Sequence, residues 1–318
     1  MKGSAGPRRA RGRRGTGVAA ILAVLVACPA CSAWGGGPPR LGAYGLPTGT
    51  SPWRLGLAVD GTVDVGGPND TSALSQMMPT SGLKASARMR LEYDQDTSAT
   101  GDAGRRVEMH ATAVSGRFES FVANRDFGAG DLGVFGNDGT VMLELGPDGT
   151  LRNAGGSPLG GMGLPLVADV LTGWPCPPLP DGGVEAGTSW PASVLTPGGT
   201  RLSGTASYEP GELAGRHVLE VSAELEGDTA AHGVELEKMV TTVTGADLPD
   251  LHLSPMNLRA HSRTRNRCRL DADDRSLVSW SVDSNLEVTL QATTNAKYDA
   301  ILDGTTMSFD ISATATPL

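Results

Sequence analysis

Aromatic residues are scarce in this chain: tryptophan, tyrosine and phenylalanine together make up 4% of its 318 residues. Proteins that bind sugars usually stack them on exposed rings, so this scarcity argues against a carbohydrate-binding platform. Lysine is also rare, because Lys84, Lys238 and Lys297 are the only lysines that follow the first few residues, whereas arginine is common. The composition alone therefore points to no particular ligand.

Motifs that carry catalysis are missing as well. The chain has no His-Glu-x-x-His zinc motif, no Gly-x-Ser-x-Gly nucleophile elbow and no Walker-type phosphate loop. Ser81 and Lys84 have the spacing of a penicillin-binding Ser-x-x-Lys, but the partner motifs of that site are absent. The dispersed histidines are His110, His217, His232, His252 and His261. We therefore predict no catalytic residue, no metal site, no cofactor and no enzymatic activity.

The apolar run from Val18 to Ala27 is too short to span a bilayer, which takes roughly 20 residues. It follows a leader whose charges are all positive: Lys2, Arg8, Arg9, Arg11, Arg13 and Arg14. A basic leader followed by a short apolar run is typical of a secretory signal peptide. We predict that residues 1–27 are such a signal and direct the protein to general export.

The apolar run ends in Leu25-Val26-Ala27-Cys28, which resembles the lipobox of bacterial lipoproteins. The resemblance covers only the leader, and the rest is similar in style to uncharacterised cell-envelope lipoproteins of actinobacteria. It implies that Cys28 receives diacylglycerol and palmitate, becomes the first residue and anchors the protein on the extracytoplasmic face of the cell membrane. Several acyl chains make such an anchor durable. Cys31 ends a second, poorer box, and an ordinary cleaved signal with incidental cysteines is the other interpretation.

The body that remains is acidic. Loss of the leader removes six positive charges and moves the formal net charge from −9 to −15. An acidic body is repelled by phosphate backbones and by anionic headgroups. We therefore exclude nucleic acid as a partner and expect contact with the membrane through the covalent lipid.

Two cysteines lie outside the signal, Cys176 and Cys268. An exported protein folds in an oxidising compartment, where disulfides form and persist. A disulfide between these cysteines is the simple expectation, and closing a loop of about 90 residues is worth roughly 4–5 kcal/mol in the chain-entropy model. Two separate buried thiols are the alternative.

Apolar residues alternate with polar ones along much of the remaining chain. The sets are Met89, Leu91, Tyr93; Val107, Met109, Ala111; Val141, Leu143, Leu145; Leu219, Val221, Ala223, Leu225; Val278, Trp280, Val282; Leu286, Val288, Leu290; and Met307, Phe309, Ile311. A period of two is typical of strands with one buried and one wetted face, as in antiparallel sheets. We predict a mainly β fold of antiparallel strands, in one sheet or two, with a curved half-barrel as one arrangement.

Turn residues separate these strands. Asp60-Gly61-Thr62, Asn137-Asp138-Gly139, Pro147-Asp148-Gly149 and Asp303-Gly304 each contain an Asp-Gly pair, and both of these residues tolerate positive φ. The segment 143–151 (LELGPDGTL) is the clearest predicted hairpin.

One segment has helical spacing instead: Leu164, Val167, Ala168 and Leu171 fall at i, i+3, i+4 and i+7. It predicts a short helix in a proline-rich crossover between two β-rich halves. The predicted organisation is a signal at 1–27, the lipidated cysteine and a flexible Gly/Pro tether at 28–52, an N-terminal half at 53–158, the helix and crossover at 159–191, and a C-terminal half at 192–318.

Three functions fit this sequence. The first is a binding protein without catalytic activity that holds an apolar small molecule in the curved sheet. The second is a structural or assembly module that binds another envelope protein through a sheet face or edge. The third, an enzyme of an unrecognised kind, requires titratable groups that converge in a cleft.

Overall fold

The computed structural model describes residues 40–65, 81–100, 104–120, 123–128, 140–155, 176–196, 200–237, 254–294 and 296–318. The predicted signal peptide, the two candidate lipid-attachment cysteines Cys28 and Cys31, and the predicted helix at 164–171 lie outside these residues. The predicted turn at 137–139 lies outside them too.

The described chain consists almost entirely of strands. In chain order the elements are β1 (Arg40–Leu41), β2 (Gly49–Asp64), β3 (Leu83–Ala99), β4 (Arg105–Ser120), β5 (Asn124–Phe127), β6 (Thr140–Leu145), β7 (Leu151–Gly155), β8 (Val184–Glu185), β9 (Thr188–Leu195), β10 (Arg201–Leu213), β11 (Arg216–Val234), β12 (Met256–Asp271), β13 (Leu277–Gln291), α1 (Lys297–Leu302) and β14 (Thr306–Pro317). Within the ranges given above, no helix combines the length and the apolar character needed to cross a membrane.

Twelve strands form one antiparallel sheet in the order β7-β6-β4-β3-β2-β14-β13-β12-β11-β10-β9, with β5 beside β4. The sheet curls into a nearly closed, barrel-like form. Strands of both predicted halves belong to this sheet, because β2 of the first half pairs with β14 of the second. The prediction of a mainly β, antiparallel fold is confirmed, and the two predicted halves share one large sheet, beside which β1 and β8 form a separate two-stranded sheet.

The two faces of the sheet follow from the alternation in the sequence. On β12 every second side chain is buried, from Met256 to Leu270, and the side chains between them are exposed or half-buried. The same alternation continues in β13 and β11. The buried positions of neighbouring strands lie opposite one another in the register, so they form a common inner face with an apolar core.

One end of the sheet is closed by two segments, residues 40–48 and 176–185, which pair through β1 and β8. The backbone N–H of Leu179 donates to the carbonyl of Asp148 in the β6–β7 turn at 2.8 Å. Next to it, the carbonyl of Pro178 accepts a 3.0 Å hydrogen bond from Trp190 Nε1 in β9. Consecutive residues therefore link the two edges of the sheet, and this explains how the sheet comes close to closure without a β7–β9 ladder.

The expected disulfide is present. Cys176 in the closing segment is bonded to Cys268 of β12, with 5.6 Å between their Cα atoms. Both residues are fully buried. The bond therefore fixes the closing segment to the inner face of the sheet, and the alternative of two separate thiols is wrong.

The folded body begins earlier than the predicted boundary at residue 53. Residues 40–52, assigned to the tether, contain β1 and the start of β2. Leu41, Tyr44 and Leu46 are buried at the closed end. The tyrosine hydroxyl also donates to the Pro177 carbonyl at 2.5 Å. Three apolar side chains spaced along a Gly/Pro-rich stretch are enough to hold it on the body, although they show no regular period.

Two of the predicted turns are confirmed and one is wrong. The hairpin at 143–151 is the β6–β7 pair, with Gly149 at φ 85°, and Gly304 lies in the turn before β14 at φ 75°. Asp60 and Gly61, predicted to turn, lie inside β2. The glycine serves packing there, because a Cβ at position 61 would lie 2.8 Å from Cδ1 of Phe309 on β14.

Candidate binding site on the inner face of the sheet

A group of buried hydroxyls interrupts the apolar inner face at its centre. Ser262 and Thr264 are successive inward residues of β12, and Ser284 faces them from β13. Their oxygens form a triangle, with separations of 3.1 Å (Ser262–Thr264), 3.3 Å (Ser262–Ser284) and 3.0 Å (Thr264–Ser284). We call these three residues the hydroxyl triangle. Mutual hydrogen bonds allow it to stay buried without water.

Asn266 is the next inward residue of β12, and the oxygen of its side chain is not satisfied. The residue is 6% exposed, and its Oδ1 has no hydrogen-bond partner among the described residues. Its neighbours across the ladders are Ala223 and Val282, which have no side-chain polar atoms to offer. A buried amide without a partner costs about 1–3 kcal/mol. The inner face therefore contains a polar group that a bound molecule can satisfy.

The inner face beside these polar groups is apolar and less tightly covered. From Ser284 the register runs through Ile311, Val59 and Ala87 to Phe118, across four neighbouring strands. The isoleucine is buried, but the last three residues are half-buried. Further half-buried apolar residues on the same face are Val63, Ala85, Leu91, Met307 and Phe309. We call Val59, Ala87, Phe118 and Phe309 the apolar wall.

The middle of the inner face is uncharged. The inward residues of β12 are Met256, Leu258, Ala260, Ser262, Thr264, Asn266, Cys268 and Leu270. Those of β13 and β14 around the site are likewise apolar or hydroxylated. An ionised group buried here without a partner would cost on the order of several kcal/mol.

Two tyrosines on the inner face keep it uncharged at high pH. Burial raises the pKa of Tyr93 far above its usual value, and a hydrogen bond with Trp280 offsets part of the rise. Burial also raises the pKa of Tyr208, against the opposing charge of Arg275. Both phenols therefore stay protonated throughout the physiological range.

The outer face of the same strands has the opposite character. Alternating with the inward residues of β12 are Arg259, His261, Arg263, Arg265, Arg267 and Arg269. Acids on β11 pair with them: Arg265 Nη2 lies 2.6 Å from Glu224 Oε1, and Glu220 accepts from both Arg267 and Arg269 at 3.0 Å. The outer face is therefore a lattice of ion pairs in contact with water.

A groove of about 710 Å³ crosses this outer face over six strands. Its floor follows one row of the register, through Asp60, Asp310, Asn285, Arg263 and Glu226. Asp60 and Asp310 lie directly opposite each other on adjacent strands. The first accepts two hydrogen bonds from Arg88, and the second accepts one from Asn285 at 3.0 Å. The groove therefore offers charges of both signs to a partner.

Arginines lower the pKa of one carboxylate on the outer face, that of Glu92. Glu92 on β3 lies 2.8 Å from Arg90 and 3.3 Å from Arg54. Hydrogen bonds from Arg90, and then from Arg54, lower the pKa of this carboxyl below its usual value. The Glu92 carboxylate therefore stays charged at lower pH than an isolated carboxylate does.

The structure brings together some of the predicted site residues and adds others. Cys176 and Cys268 are joined, whereas Cys28 and Cys31 lie outside the described residues. Within those residues, no group of three or more His, Cys, Asp or Glu side chains is arranged to hold a metal ion. The hydroxyl triangle and Asn266 were missed. The available signal was the spacing of Ser262, Thr264 and Asn266, polar residues that keep the period-two positions of Leu258 and Ala260.

No protein-family model matches this chain, and no curated protein is similar to it. Among solved structures, DynF from the dynemicin biosynthesis pathway of Micromonospora chersina is 10% identical with a TM-score of 0.21, over 86% of this chain and 85% of that one. A BenF-like porin from Pseudomonas fluorescens Pf-5 is 6% identical with a TM-score of 0.18, over 85% and 98%. OpdQ of Pseudomonas aeruginosa is 8% identical with a TM-score of 0.14, over 85% and 96%.

Proposed function

We propose that this protein is a non-enzymatic binding protein, anchored by lipid to the extracytoplasmic face of the cell membrane, that holds an apolar small molecule against the inner face of its sheet. The observation that supports this proposal best is the half-buried apolar wall, which lies on the inner face beside fully buried core residues. Apolar surface left partly open beside a core is the usual lining of a small-molecule site.

The energetics favour an alkyl or polycyclic ligand. Each methylene group moved from water to an apolar surface contributes about 0.8 kcal/mol. A ligand that covers Val59, Ala87 and Phe118 would add several such contributions, enough to offset the entropy of immobilising it. Most apolar side chains of the inner face are already buried in the core, so the half-buried apolar wall is the surface that a ligand can cover.

The anchoring part of the proposal is tested with two single variants of the full chain. We expect Cys28→Ala to lose palmitate labelling and to leave the membrane fraction, because the cysteine thiol is the only attachment point in the lipobox. Cys31→Ala, the matched control, should keep both. Equal labelling and membrane retention of Cys28→Ala would contradict lipid attachment at this residue.

The binding part is tested by extracting the purified full chain with organic solvent and identifying apolar molecules by mass spectrometry. We expect one species in near-stoichiometric amount. Ala87→Trp places a large side chain on the apolar wall and should reduce the extracted amount at least about tenfold, because it occupies the ligand's place. Arg88→Trp, on the opposite face of the same strand, is the control and should retain the molecule. Extracts without any apolar species from either form would overturn the proposal.

A second function is favoured by the outer groove. Its mixture of acids and arginines fits a protein partner better than an apolar molecule, since charged surfaces guide and orient protein association. In this case a doubly substituted Arg263→Glu, Arg265→Glu protein would lose crosslinks to a fixed envelope partner, whereas Ala87→Trp would keep them. Crosslinking in intact cells therefore separates the two functions.

A further inference from the structure

We infer that the ligand is a neutral amphiphile: its uncharged polar group, a hydroxyl or an amide with an N–H, binds Asn266 and the hydroxyl triangle, while its apolar part covers the apolar wall. This inference rests on the proposed binding function and adds the class of ligand. It also assigns a binding role to Asn266, Ser262, Thr264 and Ser284.

The unpartnered oxygen of Asn266 determines which polar group a ligand should carry. The Asn266 side chain can both donate and accept, and its buried Oδ1 finds no partner among the described residues. The triangle beside it uses its three hydroxyl protons internally but keeps lone pairs free. A ligand group that both donates and accepts matches this set, whereas a pure hydrocarbon would leave the amide unsatisfied.

The arginines of β12 lie on the face opposite the candidate site. Arg263, Arg265 and Arg267 alternate along β12 with the polar inward residues but point to the outer face. Their guanidinium groups lie against acids of β11, so none is available to an anion on the inner face. A carboxylate or phosphate at Asn266 would be buried without a counter-charge, which strongly disfavours binding. The site therefore selects against anionic lipids.

Ser284 and most of the apolar wall lie along one row of the register. Ser284 is joined to Val59 through Ile311 in one row of the register. Adjacent strands lie about 4.8 Å apart, so the triangle and the near end of the apolar wall are separated by roughly 10 Å. The wall continues for two more strands, through Ala87 to Phe118. One molecule with a polar end and an extended apolar part can therefore contact both.

The experiment compares two probes that share an 18-carbon chain and differ in the polar group: 1-monooleoylglycerol and oleate. The full-length lipidated protein is released from non-ionic detergent into a native mass spectrometer at neutral pH, and the fraction of each complex is titrated. We expect monooleoylglycerol to bind at least about tenfold more tightly than oleate.

Variants then place the polar group. Asn266→Leu should reduce monooleoylglycerol affinity about tenfold and leave oleate binding little changed, because only the neutral headgroup uses the amide. Thr264→Val, nearly isosteric, gives the same direction with a smaller loss and serves if Asn266→Leu does not fold. Asn285→Leu, the same substitution on the outer face of the adjacent strand, should behave like the unsubstituted protein.

The outcomes are distinct. If oleate binds as tightly as monooleoylglycerol, the neutral-headgroup inference is overturned while the apolar-binding function stands. If the preference exists but survives both Asn266→Leu and Thr264→Val, the placement at Asn266 is wrong. If neither probe binds and no apolar molecule can be extracted, the proposed function itself fails.

Discussion

The two faces of β12 differ completely although they are built from alternating residues of one strand. The inner face places Ser262, Thr264 and Asn266 among apolar side chains, and the outer face places arginines against the acids of β11. Uncharged polar groups are tolerated inside because hydrogen bonds can satisfy most of them, whereas full charges are kept in contact with water. The contrast shows that the inward positions of β12 hold uncharged polar groups, while its charged side chains lie on the outer face.

The largest expected effect comes from breaking this separation of charge. Ala223→Glu places a carboxylate on the inner face between Asn266 and Ala206, neither of which is charged. We expect a loss of about 4 kcal/mol or more in unfolding free energy, because an unpaired charge is buried. Glu224→Ala, one residue further and on the outer face, should cost about 1 kcal/mol or less. Urea unfolding of both proteins measures the difference, and equal losses would contradict the assignment of faces.

The disulfide joins the inner face to the closing segment, and its removal should have the next largest effect. The two cysteines are 92 residues apart in the sequence. Cys176→Ser with Cys268→Ser should lower the unfolding free energy by about 4 kcal/mol, since the unfolded chain regains its entropy. Thermal unfolding of the double variant, compared with the parent under oxidising conditions, tests this expectation. An unchanged midpoint would show that the closing segment is held by its other contacts alone.

Asp299 is a fully buried acid, unlike the acids of the outer face, which contact water. It lies in α1 at 0% exposure, where its carboxylate accepts hydrogen bonds from the Ser254 backbone at 3.1 Å and from the Thr294 hydroxyl. Both hydrogen bonds lower the pKa of Asp299, and the bond from Thr294 makes the larger contribution. Asp299→Ala should therefore cost about 2 kcal/mol in unfolding free energy at neutral pH.

The contribution of the Asp299 carboxylate to stability should decrease as the pH falls. A folded-state pKa below the unfolded value gives stability that is fully present above the unfolded value of about 3.9 and is lost as pH falls through the folded value. The difference in stability between the parent and Asp299→Asn should therefore be constant from pH 7 to pH 5 and shrink below pH 4. A difference that grows on acidification would contradict a stabilising carboxylate.

The smallest expected effect is on the outer face. Arg265 and Glu224 form an ion pair at 2.6 Å, but their side chains remain 63% and 73% exposed. Arg265→Ala should change the unfolding free energy by about 0.5 kcal/mol, and less at high salt, because water screens the pair. Parallel melts at low and high ionic strength provide the measurement, and a loss of several kcal/mol would mean that this face is covered by a partner.

The fold could be predicted from sequence wherever the inward residues are apolar. Leu219, Val221, Ala223 and Leu225 mark β11, and Leu286, Val288 and Leu290 mark β13. The predictions contained no set for β12, because Ser262, Thr264 and Asn266 occupy three successive inward positions of this strand. These three positions form the candidate site together with Ser284 of β13, and polar groups inside a sheet weaken the alternation that reveals a strand.

The order of strands could not be predicted in the same way. Pairing of Asp64 with Thr306 joins residues that are remote in sequence, and local alternation contains no information about such partners. The buried tyrosine and leucines at 41–46 were hidden for a different reason. They pack as single residues in a Gly/Pro-rich stretch, where no period identifies them.

The pairing of β2 with β14 has a consequence for the order of assembly. Until residues 306–317 are available, one edge of β2 presents twelve residues of backbone, 53–64, without a neighbour. A chain that is delivered with its N-terminal end first must therefore keep this long edge unpaired until its last strand arrives. Completion of the ladder waits for that strand, so exposure to proteases and to self-association is greatest before residues 306–317 emerge.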